Sequence, residues 1–395
     1  MLTETFILYE ILGIERTGAR VEFYPLLRES TKLVHPEAVP VVERAHFLPF
    51  LSRAILASQL WWLRRSPRRY IGTLLAALRG TAGSRNHFSG AIGIFPKVAH
   101  AARLMASAGV SHVHCHFATH PALAGFIVHR LTGIPYSFTA QGSDLHVDRT
   151  MLCQKVAEAA FVAAISEYNR DLIVAECGAA TVDKVRVIRS GIETEFFRPR
   201  DGERPPGPVR ILCVGRLIEV KGQTYLIDAC RRLAEDGVEF TCDLVGDGPD
   251  RPTLERQIAA AGLDGRVRLH GALPRGDVAR LLHDADVVAT PSVPTKEGRR
   301  EGVPIVLMEA LASGVPAVST RISGIPELVE DGKVGLLVPP RDPVALADAL
   351  RTLAVDPEVR RRYGMAGRDK VTREYDAYAN AARLAQLFNR QPVRS

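Results

Sequence analysis

The chain has 395 residues, 46% hydrophobic and 24% charged, with a formal net charge of +7. That length exceeds what one hydrophobic core usually supports and predicts two domains, and the composition is that of an ordinary globular chain, not a disordered or fibrous one. Six scattered cysteines (115, 153, 177, 213, 230 and 242), with no Cys-x-x-Cys pair, predict small buried thiols in a reducing compartment; a disulfide frame or metal site is not expected.

In chain order, the first notable feature is charge. Residues 1–199 carry 22 Lys and Arg against 16 Asp and Glu, and no acid occurs from Arg44 to Ser143. Inside that stretch Trp61-Trp62-Leu63-Arg64-Arg65-Ser66-Pro67-Arg68-Arg69-Tyr70 joins aromatics to a basic cluster. Such segments commonly lie on anionic membrane surfaces, so peripheral membrane contact through residues 53–85 is expected. The other reading is a pair of ordinary helices with solvated arginines and two core tryptophans. No nucleic-acid recognition motif accompanies the charge, and nucleic acid is not an expected partner. No apolar run approaches the ~18 residues needed to cross a membrane, and no basic-then-apolar signal follows Met1, so a cytoplasmic location at the inner membrane face is expected.

Strands are predicted at 110–117, 135–140, 161–165 and 185–188, with helices at 96–108, 121–131 and 167–177 between them. His112, His114 and His116 alternate onto one side of the first strand, and His116 closes it. Strand histidines are more often structural than catalytic, and His116 is kept as the candidate. Residues 198–208 have the Pro, Gly and charge content of a linker. Beyond it, strands are predicted at 210–214, 240–245, 266–269, 287–289 and 317–319, alternating with helices such as 223–234 and 251–261. Strands alternating with helices predict parallel, doubly wound sheets, whose ligands bind beyond the carboxyl ends of the strands. A last helix is predicted from 375 to 389.

Residues 290–340 are the most informative part of the chain. Glu301 and Glu309 are separated by seven residues, and Gly302-Val303-Pro304 precede the apolar run that begins at Ile305. Glycine allows close backbone approach, proline suits a helix start, and the free N–H groups there attract anions. One carboxylate before that start and one inside the helix can reach hydroxyls on either side of a bound phosphate. This pattern suits a nucleotide-sugar.

The ordered set Glu301–Glu309, Ser313-Gly314-Val315-Pro316 and Gly324-Ile325-Pro326-Glu327 strongly resembles the donor site of the family 4 retaining glycosyltransferases, also called glycosyl transferases group 1. The resemblance implies the GT-B fold: two Rossmann-like doubly wound domains facing a cleft. It implies an acceptor-binding domain over 1–199, a linker over 200–208, a donor-binding domain over 209–374 and a helix over 375–395 that crosses back. Gly215-Arg216-Leu217 through Lys221-Gly222 resembles the family's diphosphate-gripping turn, a role that falls to Arg216 and Lys221; its spacing is not that of a P-loop. By the same resemblance Gly271 and Leu273 sit where the base is held through backbone, Glu301 orients sugar hydroxyls and Glu309 holds the ribose. Gly215, Gly302, Val303, Pro304 and Ile305 complete the donor-binding set, and Glu301, Arg216, Lys221 and His116 the catalytic one. The two carboxylates then act as positioning groups. A glycosidase acid/base pair, the alternative for two acids, needs no diphosphate clamp.

His116, Gln141 and Asp144 are the acceptor-binding candidates. The family usually has His where this chain has Gln141, which cannot act as a base but can still hydrogen-bond substrate. No metal is expected: Asp284-Ala285-Asp286 has the spelling of a metal-binding pair, yet falls at a helix-to-strand junction suited to capping. No cofactor is expected beyond a UDP- or GDP-linked sugar donor. Leu2-Thr3-Glu4-Thr5-Phe6-Ile7 resembles the first helix of an exopolysaccharide, colanic-acid-type subgroup, so the first strand of the acceptor domain is expected to be lacking. The function implied is transfer of a hexosyl unit to a glycan acceptor on a lipid pyrophosphate. A nucleotide-sugar epimerase or phosphorylase on the same fold, and a non-catalytic nucleotide-binding protein, are the rivals.

Overall fold

The computed structural model describes residues 5–27, 36–200, 202 and 207–389. Two compact units divide them: residues up to Ile188 with the chain from Ala381 onward, and Arg189–Asn380. The boundary therefore falls at Ile188/Arg189, before the stretch expected as a linker. Residues 189–200 belong to the second unit because Ile192 bridges Asp376, and Arg368 donates to the carbonyls of Thr194 and Phe197. Most of the expected linker, and Leu2 to Glu4, lie outside the described residues.

In the first unit four parallel strands, β1 (Val113–His116), β2 (Tyr136–Ala140), β3 (Phe161–Ala164) and β4 (Val185–Val187), lie in sequential order. Each is shorter than its sequence signal, because β-propensity extends past the residues that find a ladder partner. β2 is buried throughout, as a strand covered on both faces must be. The core joins Phe138 and Tyr136 to Phe95, Leu123, Phe126 and Ile127 from the helices. Among the described residues β1 is paired on one side only, with β2, and the first described element is the helix Thr5–Arg16 rather than a strand. From Ala381 the last helix, Ala377–Asn389, packs Leu384 and Ala385 against Ile14 and Phe161.

The helix predicted to begin at Pro96 instead runs from Arg85 to Ser107, with Pro96 inside it. The proline removes the N–H that would serve the carbonyl of Ile92, but Ile92 is solvent-exposed, where water can replace it. The cysteine expectation is also corrected, since Cys153 and Cys177 form a disulfide. They lie on the neighbouring helices Leu152–Glu158 and Glu167–Cys177, with Cα atoms 5.0 Å apart, inside the range a bridge requires. The other four cysteines are free and buried. Trp62 is in the core, whereas Trp61 is exposed.

The second unit holds six parallel strands: β5 (Val209–Val214), β6 (Phe240–Val245), β7 (Val267–Gly271), β8 (Val287–Thr290), β9 (Ala317–Thr320) and β10 (Gly335–Val338). Their order is β10-β9-β8-β5-β6-β7. β10 was not anticipated: its four residues, Gly-Leu-Leu-Val, are too few to show a period. The chain moves outward from β5 to β7 and then returns to the other side of β5. The strand order thus reverses between β5 and β8, the place where sheets of this kind bind ligands.

Candidate functional site

At that reversal the loop after β5 meets the loops after β8. Residues 219–221 form a short 3₁₀ turn, and Gly222 follows in the left-handed conformation with φ +69°. A side chain there would place its Cβ 2.0 Å from the carbonyl oxygen of Pro291, so glycine is required by both sterics and backbone angle. The N–H of Val293 also donates to the carbonyl of Val220 at 2.9 Å. This apposition brings Lys221 Nζ to 2.7 Å from Glu301 Oε2, with the two side chains 22% and 18% exposed. Gly215 lies against the Lys221 stem, where an added Cβ would approach Cδ at 3.3 Å. Arg216 is exposed and makes no ion pair among the described residues; its carbonyl accepts from Gln223 Nε2 at 3.0 Å.

Gly302, Val303 and Pro304 lead into the helix Ile305–Ala312, whose start no side chain caps. Pro304 sits at the cap rather than at the first helical position. Glu309 lies one turn inside, where burial pushes its carboxyl up to about 7 and Arg275 opposes the rise. A raised carboxyl pKa means the folded protein holds a proton that the unfolded chain has released. The resulting penalty begins above the ordinary value of 4.5 and is complete above about 7. Glu309→Gln is therefore expected to stabilise the protein by about 2 kcal/mol near pH ~8 and not near pH ~4, read by thermal unfolding at both. An equal shift at both would show that the carboxylate charge is not the cause.

Gly271 closes β7 with φ +77°, and its carbonyl accepts from the N–H of Gly246 at 2.8 Å; Leu273 follows, partly buried. Arg275, which sequence reasoning missed, pairs with Glu193 at 2.7 Å and stacks over Phe196 at 3.9 Å. Glu193 also accepts from the Tyr378 hydroxyl at 2.8 Å. Each of these residues is unremarkable in sequence, and only folding assembles them. Glu327 lies 3.7 Å from Arg189. Asp286 accepts from the N–H of Arg210, and Asp284 pairs with the Arg210 side chain at 3.5 Å.

The acceptor-side candidates lie in the first unit. His116 is not open to solvent on the strand end but half-buried, with Nε2 3.4 Å from Glu10 Oε1. His114 is 3.8 Å from the same oxygen and also contacts Ser137 Oγ at 2.7 Å and Thr139 Oγ1 at 2.8 Å. Burial pushes Glu10 up to about 8 and His116 down to about 4, so both are neutral at pH ~7. Glu10, His114 and His116 are a set of side chains that could hold a metal ion. Both ring nitrogens of His114 already have hydroxyl partners, whereas Glu10 Oε1 and His116 Nδ1 are buried without a hydrogen-bond partner among the described residues.

Asp144 is buried and accepts from three backbone N–H groups: Ala118 at 2.7 Å, Gln141 at 3.0 Å and Gly142 at 2.7 Å. It thus ties the loop after β1 to the loop after β2, next to Phe117 in its left-handed conformation (φ +77°). Lys155, also buried, donates to the carbonyl of Ala118 at 2.5 Å, and burial lowers its pKa to about 8. Asp144→Ala is expected to cost at least ~3 kcal/mol in denaturant unfolding, because three N–H groups lose their acceptor. A cost below ~1 kcal/mol would mean that water replaces the carboxylate.

Comparison with known proteins bears on this arrangement. Residues 195–370 match the family model for glycosyl transferases group 1. The chain is 40% identical over 207 residues to the putative colanic acid biosynthesis glycosyltransferase WcaL of Escherichia coli (strain K12), covering 52% of this chain and 51% of that protein. It is 37% identical over 228 residues to the amylovoran biosynthesis glycosyltransferase AmsK of Erwinia amylovora, covering 56% and 54%. The chain thus spans about half the length of the curated relatives it matches. Among solved structures it resembles Anabaena Alr3699/HepE in complex with UDP, with a TM-score of 0.65, 21% identity and 75% and 82% coverage. That likeness gives the fold, two Rossmann-like domains of the GT-B type. Residues 195–370 thus form a glycosyl transferases group 1 domain.

Proposed function

We propose that the chain transfers a hexosyl unit from a nucleotide-diphosphate sugar to a glycan acceptor in polysaccharide biosynthesis, with retention of anomeric configuration and without a metal. The observation that carries this is the Lys221–Glu301 pair at 2.7 Å, set where the strand order reverses, with Arg216 exposed in the same loop as Lys221 and Glu309 one turn into the helix that follows Glu301. Breaking the anomeric C–O bond leaves negative charge on the departing diphosphate. Arg216, Lys221 and the uncapped helix start supply fixed positive potential for that charge, where electrostatic catalysis is strongest. Glu301, beside the lysine, is suited to orient sugar hydroxyls, and Glu309 to accept from a ribose.

The relatives named for colanic acid and amylovoran biosynthesis support an exopolysaccharide glycan as the acceptor class, and the UDP bound in the Anabaena protein supports a nucleotide donor. The basic stretch 53–85 supports an acceptor carried on a membrane lipid pyrophosphate, with the protein in peripheral contact at the cytoplasmic membrane face. No helix among the described residues is long and apolar enough to cross a membrane. His116, Gln141 and Asp144 remain the proposed acceptor-side residues, Asp144 acting through the loops it holds.

Thermal unfolding with UDP, GDP and ADP in turn tests the donor reading without an acceptor. A ligand at a hundred times its dissociation constant stabilises by about 2.7 kcal/mol. The expected result is a shift with UDP or GDP that Glu309→Ala abolishes. No shift with any nucleotide in a folded sample would overturn the reading.

A further inference from the structure

The two helices Arg53–Arg65 and Pro67–Thr81 are apolar on the side that packs inward and apolar again on the side that does not. The inner side is satisfied. Trp62 Nε1 donates to the carbonyl of Ala99 at 2.8 Å, Ser58 Oγ lies 2.8 Å from His100 Nδ1, and Tyr70 donates to Gln59 Oε1 at 2.9 Å. The outer side carries Leu56, Leu60 and Leu63, a helical stripe that is 53%, 52% and 41% exposed, and on the next helix Ile71 and Leu75. A solvated helix face is ordinarily polar, so a leucine stripe facing water marks a docking surface.

Beside that stripe is a shallow depression, open to solvent, lined by Ala57, Trp61, Arg64, Arg65 and Arg103. The Arg103 guanidinium lies over the Trp61 ring at 5.0 Å. Among the described residues none of the three arginines makes an ion pair, and no carboxylate occurs in sequence between Arg44 and Ser143 to provide one. Unpaired guanidiniums converging on one hollow suit a phosphate group. An indole at its rim suits the headgroup level of a bilayer, and leucines beside it suit the acyl boundary.

We propose that this hollow seats the phosphate of an anionic phospholipid headgroup while Leu56, Leu60 and Leu63 enter the bilayer interface. The proposal deepens the membrane contact in the functional reading above by naming its seat and its ligand. Charge complementarity selects the occupant, since a protein partner would have to present a purely acidic face, whereas an anionic leaflet presents one everywhere.

The test is co-sedimentation of the full chain with vesicles of phosphatidylcholine alone and of phosphatidylcholine with phosphatidylglycerol. The wild type is expected to bind only the anionic vesicles, and binding is expected to fall about fivefold for each of Arg64→Gln, Arg65→Gln and Arg103→Gln. Arg231→Gln, Arg280→Gln and Arg361→Gln, which change net charge equally in the other unit, are expected to change it little. Leu60→Ser is expected to weaken binding even at high salt, which a purely electrostatic contact would not show. Equal binding to both vesicles, or equal loss with the two arginine sets, would overturn the proposal, as would displacement of the bound vesicles by millimolar inorganic phosphate alone. A cooperative thermal transition, measured on every variant, reports that the protein is folded, and UDP- or GDP-dependent stabilisation is read from the same scans. A chain that responds to nucleotide but ignores anionic vesicles would sink this inference and leave the transferase reading standing. The converse result would sink the transferase reading alone.

Discussion

Glu301→Gln is expected to lower turnover by about a hundredfold or more while nucleotide affinity stays the same or tightens. In the ligand-free protein Glu301 holds the Lys221 ammonium at 2.7 Å. A diphosphate must share that ammonium with the carboxylate, so removing the carboxylate charge leaves more of it for the nucleotide. The sugar, by contrast, loses the charged acceptor that orients its hydroxyls, and that contact matters most as positive charge grows at the anomeric carbon. Steady-state kinetics on an exopolysaccharide-type acceptor, beside calorimetric titration with the nucleotide alone, separates the two effects. Parallel loss of turnover and nucleotide affinity would assign Glu301 to the nucleotide.

Lys221→Ala is expected to weaken nucleotide-diphosphate binding and to lower turnover by about a hundredfold, because it uncovers charge on both the bound and the departing diphosphate. It should also destabilise the ligand-free protein by ~1–3 kcal/mol, since Glu301, only 18% exposed, then lacks its partner. The double variant Lys221→Ala/Glu301→Gln distinguishes these consequences. It should recover much of the lost stability, as no half-buried charge is left unpaired, and recover none of the turnover. Chemical denaturation of the four proteins in the cycle measures the coupling. A double variant no more stable than Lys221→Ala would show that the Glu301 charge left unpaired carries no penalty in the fold. Unchanged nucleotide affinity in Lys221→Ala would remove the lysine from the donor site.

The sequence by itself determined the rhythm of strand and helix in both units, and the place of the segments Gly215–Gly222 and Glu301–Glu327 at a strand end and around a helix start. These were legible because each is local: a strand end, a turn glycine and a helix start are adjacent in the chain, so spacing along the chain is spacing in space. Only the tertiary structure decided what lies between distant segments. Lys221 and Glu301 are 80 residues apart, and their contact depends on Gly222 passing under Pro291. Asp144 reads in sequence as a substrate contact, yet three backbone N–H groups occupy its carboxylate. Cys153 and Cys177 look like two scattered thiols until neighbouring helices bring them together. Glu10 and Glu309 are ordinary glutamates in the chain, and burial alone shifts their protonation toward neutrality. Propensity and periodicity act over a few residues, whereas desolvation and ion pairing depend on whatever the fold places within a few ångströms.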